Sequence, residues 1–128
     1  MKNYIIKKIS TISESQLFEF YTQVYKNINK SFISNLKWYY RIGYNSSEPI
    51  VIIVNNKIIG HAGLIPGEIE NQGQNYPIIW FTDFVILPEY RSQGYGEALT
   101  NEWMNICPHQ ITFCNDLSLK VFKKLDWK

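Results

Sequence analysis

Apolar and polar residues alternate loosely over residues 4–10, the period-2 pattern of a strand. Ser13 with Gln16 three positions on is a capping-box pair. It opens a stretch in which Leu17, Phe20, Tyr21, Val24, Tyr25 and Ile28 recur at helical spacing. Residues 31–41 read as a second helix, ended by Gly43. Two β-branched runs, 50–54 and 57–64, flank Asn55-Asn56; asparagine tolerates positive φ, so the pair predicts a tight hairpin. Pro66-Gly67 is expected to close the second run, followed by a polar connection through Gln74. The longest strand is expected over 78–87, stopped by Pro88. A helix over about 97–106 follows Gly94 and Gly96, and Pro108 ends it. A short buried strand over 110–114 and a final helix over 117–125 complete the series. The order β-α-α-β-β-β-α-β-α predicts an α/β fold (α+β mixed sheet): an antiparallel meander, then a right-handed βαβ crossover, with helices on both faces.

Composition narrows the class. The 128 residues suffice for one domain, and 45% hydrophobic with 19% charged residues is a globular balance. A net charge of +2 gives no electrostatic case for nucleic acid; Lys120, Lys123, Lys124 and Lys128 read as the solvated face of the last helix. The longest apolar run, Ile50–Val54, is far short of the roughly 20 residues a membrane-spanning helix needs, and the N-terminal residues lack a signal-peptide pattern. Cys107 and Cys114 form no CxxC and have no histidine at zinc-ligand spacing, so no metal site and a reduced, cytoplasmic protein are expected.

Residues 84–99 turn the question from fold to chemistry. They join a strand to a helix through a short loop in which Gly94 and Gly96 carry no Cβ, so successive backbone N–H groups can face one concavity. The helix adds its unpaired N–H groups and the positive end of its dipole. Such a junction suits a phosphate or pyrophosphate. Arg91, one of only two arginines, stands at its rim for a charge-assisted contact or, on the other reading, for a surface ion pair. The loop is neither a Walker loop nor the GxGxxG fingerprint.

Arg91-Ser92-Gln93-Gly94-Tyr95-Gly96 resembles the Arg/Gln-x-x-Gly-x-Gly/Ala motif of the GNAT superfamily, the acetyl-CoA-dependent N-acyltransferases. Upstream, Asp83 to Tyr90 is similar to that family's fourth strand and its exit. Downstream, Asn115 and then Val121-Phe122-Lys123-Lys124-Leu125-Asp126-Trp127 are similar to the end of strand five and the following helix. The resemblance implies one GNAT-like domain over 1–128 that uses acetyl-CoA as acyl donor and a small-molecule amine as acceptor. It implies that backbone N–H groups of Gln93, Gly94, Tyr95, Gly96 and Glu97, with Arg91 and Ser92 in the same loop, cradle the coenzyme A pyrophosphate. It further implies that the Phe84-Val85-Ile86 main chain pairs with the pantetheine arm and polarises the thioester carbonyl, an oxyanion-type contribution. Asn115 would hydrogen-bond the pantetheine, although Asn115-Asp116 before Leu117 is equally the pattern of a helix cap.

Departures from the family pattern are as informative. Phe122 stands where a tyrosine acid is common; water, Tyr90 or Tyr95 are the substitutes. Asp83 is the acid on the fourth strand and the candidate base or amine contact. Alternation puts it with Val85 and Leu87, opposite Thr82, Phe84 and Ile86, unless a bulge intervenes. Glu68 and Glu70 are expected in a solvated loop, His61 as a satisfied histidine in a strand, His109 at a surface turn and Cys114 as inert. Tyr21, Tyr25, Trp38, Tyr39 and Tyr40 would border an acceptor groove or pack the helices. The family's two last strands are missing from the pattern, which predicts a shortened variant or the N-terminal part of a longer protein. An exposed fifth-strand edge would then be relieved in a homodimer. The expected activity is transfer of acetyl to a primary amine of a small molecule or sugar by direct attack. The alternative is a degenerate domain that binds coenzyme A or a protein partner without turnover.

Overall fold

In the computed structural model, residues 3–25, 27–44, 47–106, 109–113 and 115–125 are described, the side chains of Lys30 and Leu117 excepted. Five strands form one sheet in sequential order: β1 (Ile5–Lys8), β2 (Ile50–Val54), β3 (Lys57–Asn71), β4 (Gln74–Ile86) and β5 (Gln110–Thr112). The first four pair antiparallel and β4 pairs parallel with β5, so the mixed sheet follows the expected order. Helix α1 (Glu14–Val24) lies between β1 and β2, followed by the short helices α2 (Lys30–Ser34) and α3 (Leu36–Tyr39). Helix α4 (Tyr95–Ile106) makes the crossover from β4 to β5, and α5 (Asp116–Lys124) follows β5.

Every residue of β2 is buried because both faces of the sheet are covered. Ile50, Ile52 and Val54 pack with Leu99 and Trp103 of α4 and Phe122 of α5. The alternate residues Val51 and Ile53 pack with Leu17, Phe20 and Tyr21 of α1, Ile33 of α2 and Leu36 of α3.

Local chemistry accounts for most boundaries. Ser13 Oγ accepts from the Gln16 N–H at 3.3 Å and caps α1. Asn55 and Asn56 have φ of 50° and 63°, the paired left-handed geometry of a two-residue hairpin. The expected second helix is instead broken at Asn35, and Arg41 turns left-handed with φ 51°.

The largest difference lies at Pro66-Gly67, which does not close β3. Pro66 pairs with Ile79 and Gly67 with Ile78, and the strand runs on to Asn71. Beyond Ala62 the other side of β3 has lost its β2 partner, and an edge strand tolerates a residue without an N–H. The turn is Gln72-Gly73, φ 51° and 77°, so Glu68 and Glu70 are exposed strand residues and not part of a loop. Helix α4 likewise begins two residues earlier than expected. Gly94 (φ 92°) ends the loop, and the Ala98 N–H already bonds to its carbonyl at 3.1 Å. Cys107, Pro108, Cys114, Asp126, Trp127 and Lys128 lie outside the described residues.

Candidate active site

Among the described residues strand β5 pairs with β4 only from Ile79 to Phe81, and Thr112 Oγ1 makes the last tie, donating to the Phe81 carbonyl at 2.8 Å. From Thr82 onward the two elements part. The Leu87 N–H bonds to Ile59 on β3 at 2.8 Å, so by alternation the N–H and C=O groups of Phe84 and Ile86 point the other way, toward the gap. A cleft of about 550 Å³ runs along this edge. It is lined by Phe84, Val85, Ile86, Arg91, Ser92, Gly94, Gly96, Glu97 and Asn115 among others, so it gathers most of the residues that the motif singled out.

The loop at its end has the backbone an anion needs. Ser92 (φ 60°) and Gly94 (φ 92°) are both left-handed, and a loop of such turns directs N–H groups into one concavity ahead of α4. A Cβ on Gly96 would sit 3.2 Å from the Phe84 ring, so the close packing of helix on strand depends on glycine there. Two residues of the motif are placed differently. Gln93 turns its side chain back to the Glu89 carbonyl at 3.1 Å, and Tyr95 buries its ring against Tyr4 and Tyr90. Arg91 donates from Nε to the Ile86 carbonyl at 2.9 Å, tying loop to strand, so it does more than stand at a rim. Lys120 and Lys124 of α5 also line this cleft, Lys124 paired at 2.5 Å with Glu97. Both were expected only on the solvated face of the last helix; their spacing of four marks a common face, and that face borders the cleft.

A second cleft of about 350 Å³ shares Phe84, Val85, Asn115 and Ser118 with the first and reaches Val24 and Tyr25 at the end of α1. Its remaining lining includes Val24, Tyr25, Asp83, Phe113 and Phe122. Asn115 caps α5: its Oδ1 accepts from the Ser118 N–H at 2.9 Å and its own N–H donates to Ser118 Oγ at 3.0 Å. Phe122 is buried, its ring edge-on to Phe81 with centroids 5.8 Å apart.

Asp83 sits on a β-bulge. His61 pairs with Val85 but Gly63 with Thr82, two steps on β3 against three on β4, and Asp83 takes up the difference with φ 48°. Asp83 therefore stays on the face of Val85 and Leu87 as alternation predicts. The residue sharing the opposite face with Phe84 and Ile86 is Phe81, where alternation without a bulge put Thr82. Tyr40 Oη donates to Asp83 Oδ2 at 2.7 Å, and His61 Nδ1 lies 2.9 Å from the Asp83 carbonyl. A carbonyl only accepts, so Nδ1 carries the proton, and the Tyr21 hydroxyl donates to Nε2 at 2.7 Å. Burial holds the His61 pKa below its ordinary 6.5 and drives the hydroxyl pKa values of Tyr21 and Tyr40 up. The Asp83 charge is the main cause that raises Tyr39.

Glu68, Glu70 and His109 line neither cleft. Among the described residues no cluster of His, Cys, Asp or Glu could hold a metal ion, and no helix is long and apolar enough to cross a membrane.

No curated protein matches the chain. Solved structures do. An acetyltransferase from Trypanosoma brucei superposes with a TM-score of 0.76 at 19% identity, covering 98% of this chain and 93% of its own. Glucosamine-6-phosphate N-acetyltransferase from Arabidopsis thaliana gives 0.77 at 14% identity, with 99% and 92% covered. An aminoglycoside N-acetyltransferase in complex with CoA gives 0.77 at 12%, with 100% and 90% covered. At such identities these likenesses establish the fold. The model of the Acetyltransferase (GNAT) family matches residues 11–127, nearly the whole chain, and the protein belongs to that family.

Proposed function

We propose that the protein transfers the acetyl group of acetyl-CoA to a primary amine of a small molecule or sugar, by direct attack of the amine on the thioester. The observation that carries this reading is a pair of adjoining clefts that share Phe84, Val85, Asn115 and Ser118. Together they run from the anion-suited loop at Gly94, past the Phe84 and Ile86 main chain that faces the gap, to the carboxylate of Asp83.

In this reading the loop from Arg91 to Glu97 takes the pyrophosphate, and Lys120 adds positive charge beside it. The pantetheine lies along β4 like an added strand, with Asn115 at the gap. A main-chain N–H on this edge polarises the thioester carbonyl; losing one such fixed donor commonly costs about 10²–10³ in kcat. Asp83 holds the incoming ammonium and takes its proton. The N–C bond then forms, the C–S bond breaks, the new amide nitrogen sheds its remaining extra proton to solvent, and solvent in the open cleft protonates the thiolate, because Phe122 carries no proton to give.

A second reading, coenzyme A binding without turnover, is favoured by the same buried Phe122. A thiol-release assay with acetyl-CoA and a panel of amines separates the two: turnover supports the first, saturable binding without release the second. Gly96→Glu should abolish acetyl-CoA binding in either case, read by calorimetry; retained binding would move the donor site elsewhere.

A further inference from the structure

Asp83 is held in a way its fold alone does not require. A non-glycine residue at φ 48° is uncommon, and such strain persists where surrounding contacts over-determine it. Those contacts come from three elements. His61 on β3 fixes the Asp83 carbonyl, Tyr21 on α1 fixes the His61 ring, and Tyr40 after α3 fixes one carboxylate oxygen. Tyr21, His61 and Tyr40 have no exposed surface, so a polar chain runs through an apolar core with each member satisfied by the next. The approach of Tyr40 is built into the sheet: a Cβ on Gly63 would lie 2.8 Å from the Tyr40 ring.

Asp83 itself is only half-buried and lines the smaller cleft; its second oxygen, Oδ1, accepts no hydrogen bond from the described residues. It is also the only charged group among the described residues of that lining. Val24, Tyr25, Phe84 and Phe113 supply apolar and aromatic wall around it. A phosphorylated sugar would call for a cation here, and a polycationic aminoglycoside for several carboxylates.

We propose that His61, Tyr21 and Tyr40 are positioning residues that preset Asp83 as the single ammonium anchor of the cleft, and that the acceptor is a primary amine on an apolar or aromatic stem. The proposal rests on the acyl-transfer reading for its use in catalysis but is measurable without turnover. The test follows the backbone amide resonances of Asp83 and Tyr25 in the whole protein during titration with 2-phenylethylamine, alongside thiol release from acetyl-CoA. Saturable shifts are expected in the wild type, with glucosamine 6-phosphate binding more weakly. Tyr40→Phe, which removes only a hydroxyl, should weaken the amine about ten-fold and leave acetyl-CoA affinity unchanged. His61→Leu should do the same, and His61→Asn, which keeps an N–H donor for the Asp83 carbonyl, should recover most of the loss.

Amine affinity in Tyr40→Phe equal to wild type overturns the proposal, as does a folded wild type in which no amine shifts Asp83, or tighter binding of the phosphosugar. Amine binding that responds to Tyr40→Phe without any thiol release would refute the acyl-transfer reading and leave the anchor standing.

Discussion

His61 carries a consequence for stability as well as for the site. Its pKa lies below 6.5 in the folded chain, so between that value and the lower native one the unfolded chain binds a proton that the native chain does not. Its contribution is therefore present above pH 6.5 and lost as pH falls through the native value. The tyrosines act at the other end. Tyr21 and Tyr40 ionise well above 10 in the native chain, so stability declines as pH rises past 10. Thermal denaturation across pH should show a plateau between these limits, and His61→Asn should remove part of the acid slope. An acid slope unchanged in the variant would place its cause in other groups. The nearby titratable groups are Tyr21 on α1, Tyr40 after α3 and Asp83 on β4. At this scale the sequence was partly legible. A satisfied His61 in a strand was expected, and so was the face of Asp83 relative to Val85 and Leu87. The partnership among residues 21, 40, 61 and 83 was not, because it joins side chains about 20 to 60 positions apart that no local pattern relates.

Helix α5 shows how one residue can serve both an element and a site. Asn115 caps the helix and lines both clefts. Asn115→Ala should lower stability by about 1 kcal/mol, the ordinary worth of a cap, measured by chemical denaturation. Asn115→Ser should restore the stability, since serine caps equally well. If Asn115 also contacts the pantetheine, the serine variant stays weak for acetyl-CoA although stable; recovery of both would confine Asn115 to the cap. Elements were legible where their signals were local. The Ser13 cap and the Asn55-Asn56 hairpin formed as read. Pro66 misled because whether a proline interrupts a strand depends on which side has a neighbour, and that is decided only when β2 ends its pairing at Ala62.

Across the whole molecule, charge is modest but unevenly placed. The net value of +2 gave no hint that Arg91, Lys120 and Lys124 converge on one cleft. Binding of the multiply anionic acetyl-CoA should therefore weaken as ionic strength rises from about 0.01 M to about 0.5 M, as screening shortens from about 30 Å to a few ångströms. Lys120→Glu should weaken it several-fold and leave amine binding at Asp83 unchanged. Insensitivity to both salt and this variant, in calorimetric titrations, would put the phosphates elsewhere. The sequence by itself determined the strand and helix order, the mixed sheet and the loop from Arg91 to Gly96, because periodicity, caps and glycines act over a few residues. The tertiary structure decided the rest: the gap where β4 outruns β5, the bulge that sets Asp83, and the buried tyrosines and histidine behind it. These depend on cross-strand register and on packing between distant segments, so they exist only once the sheet is assembled.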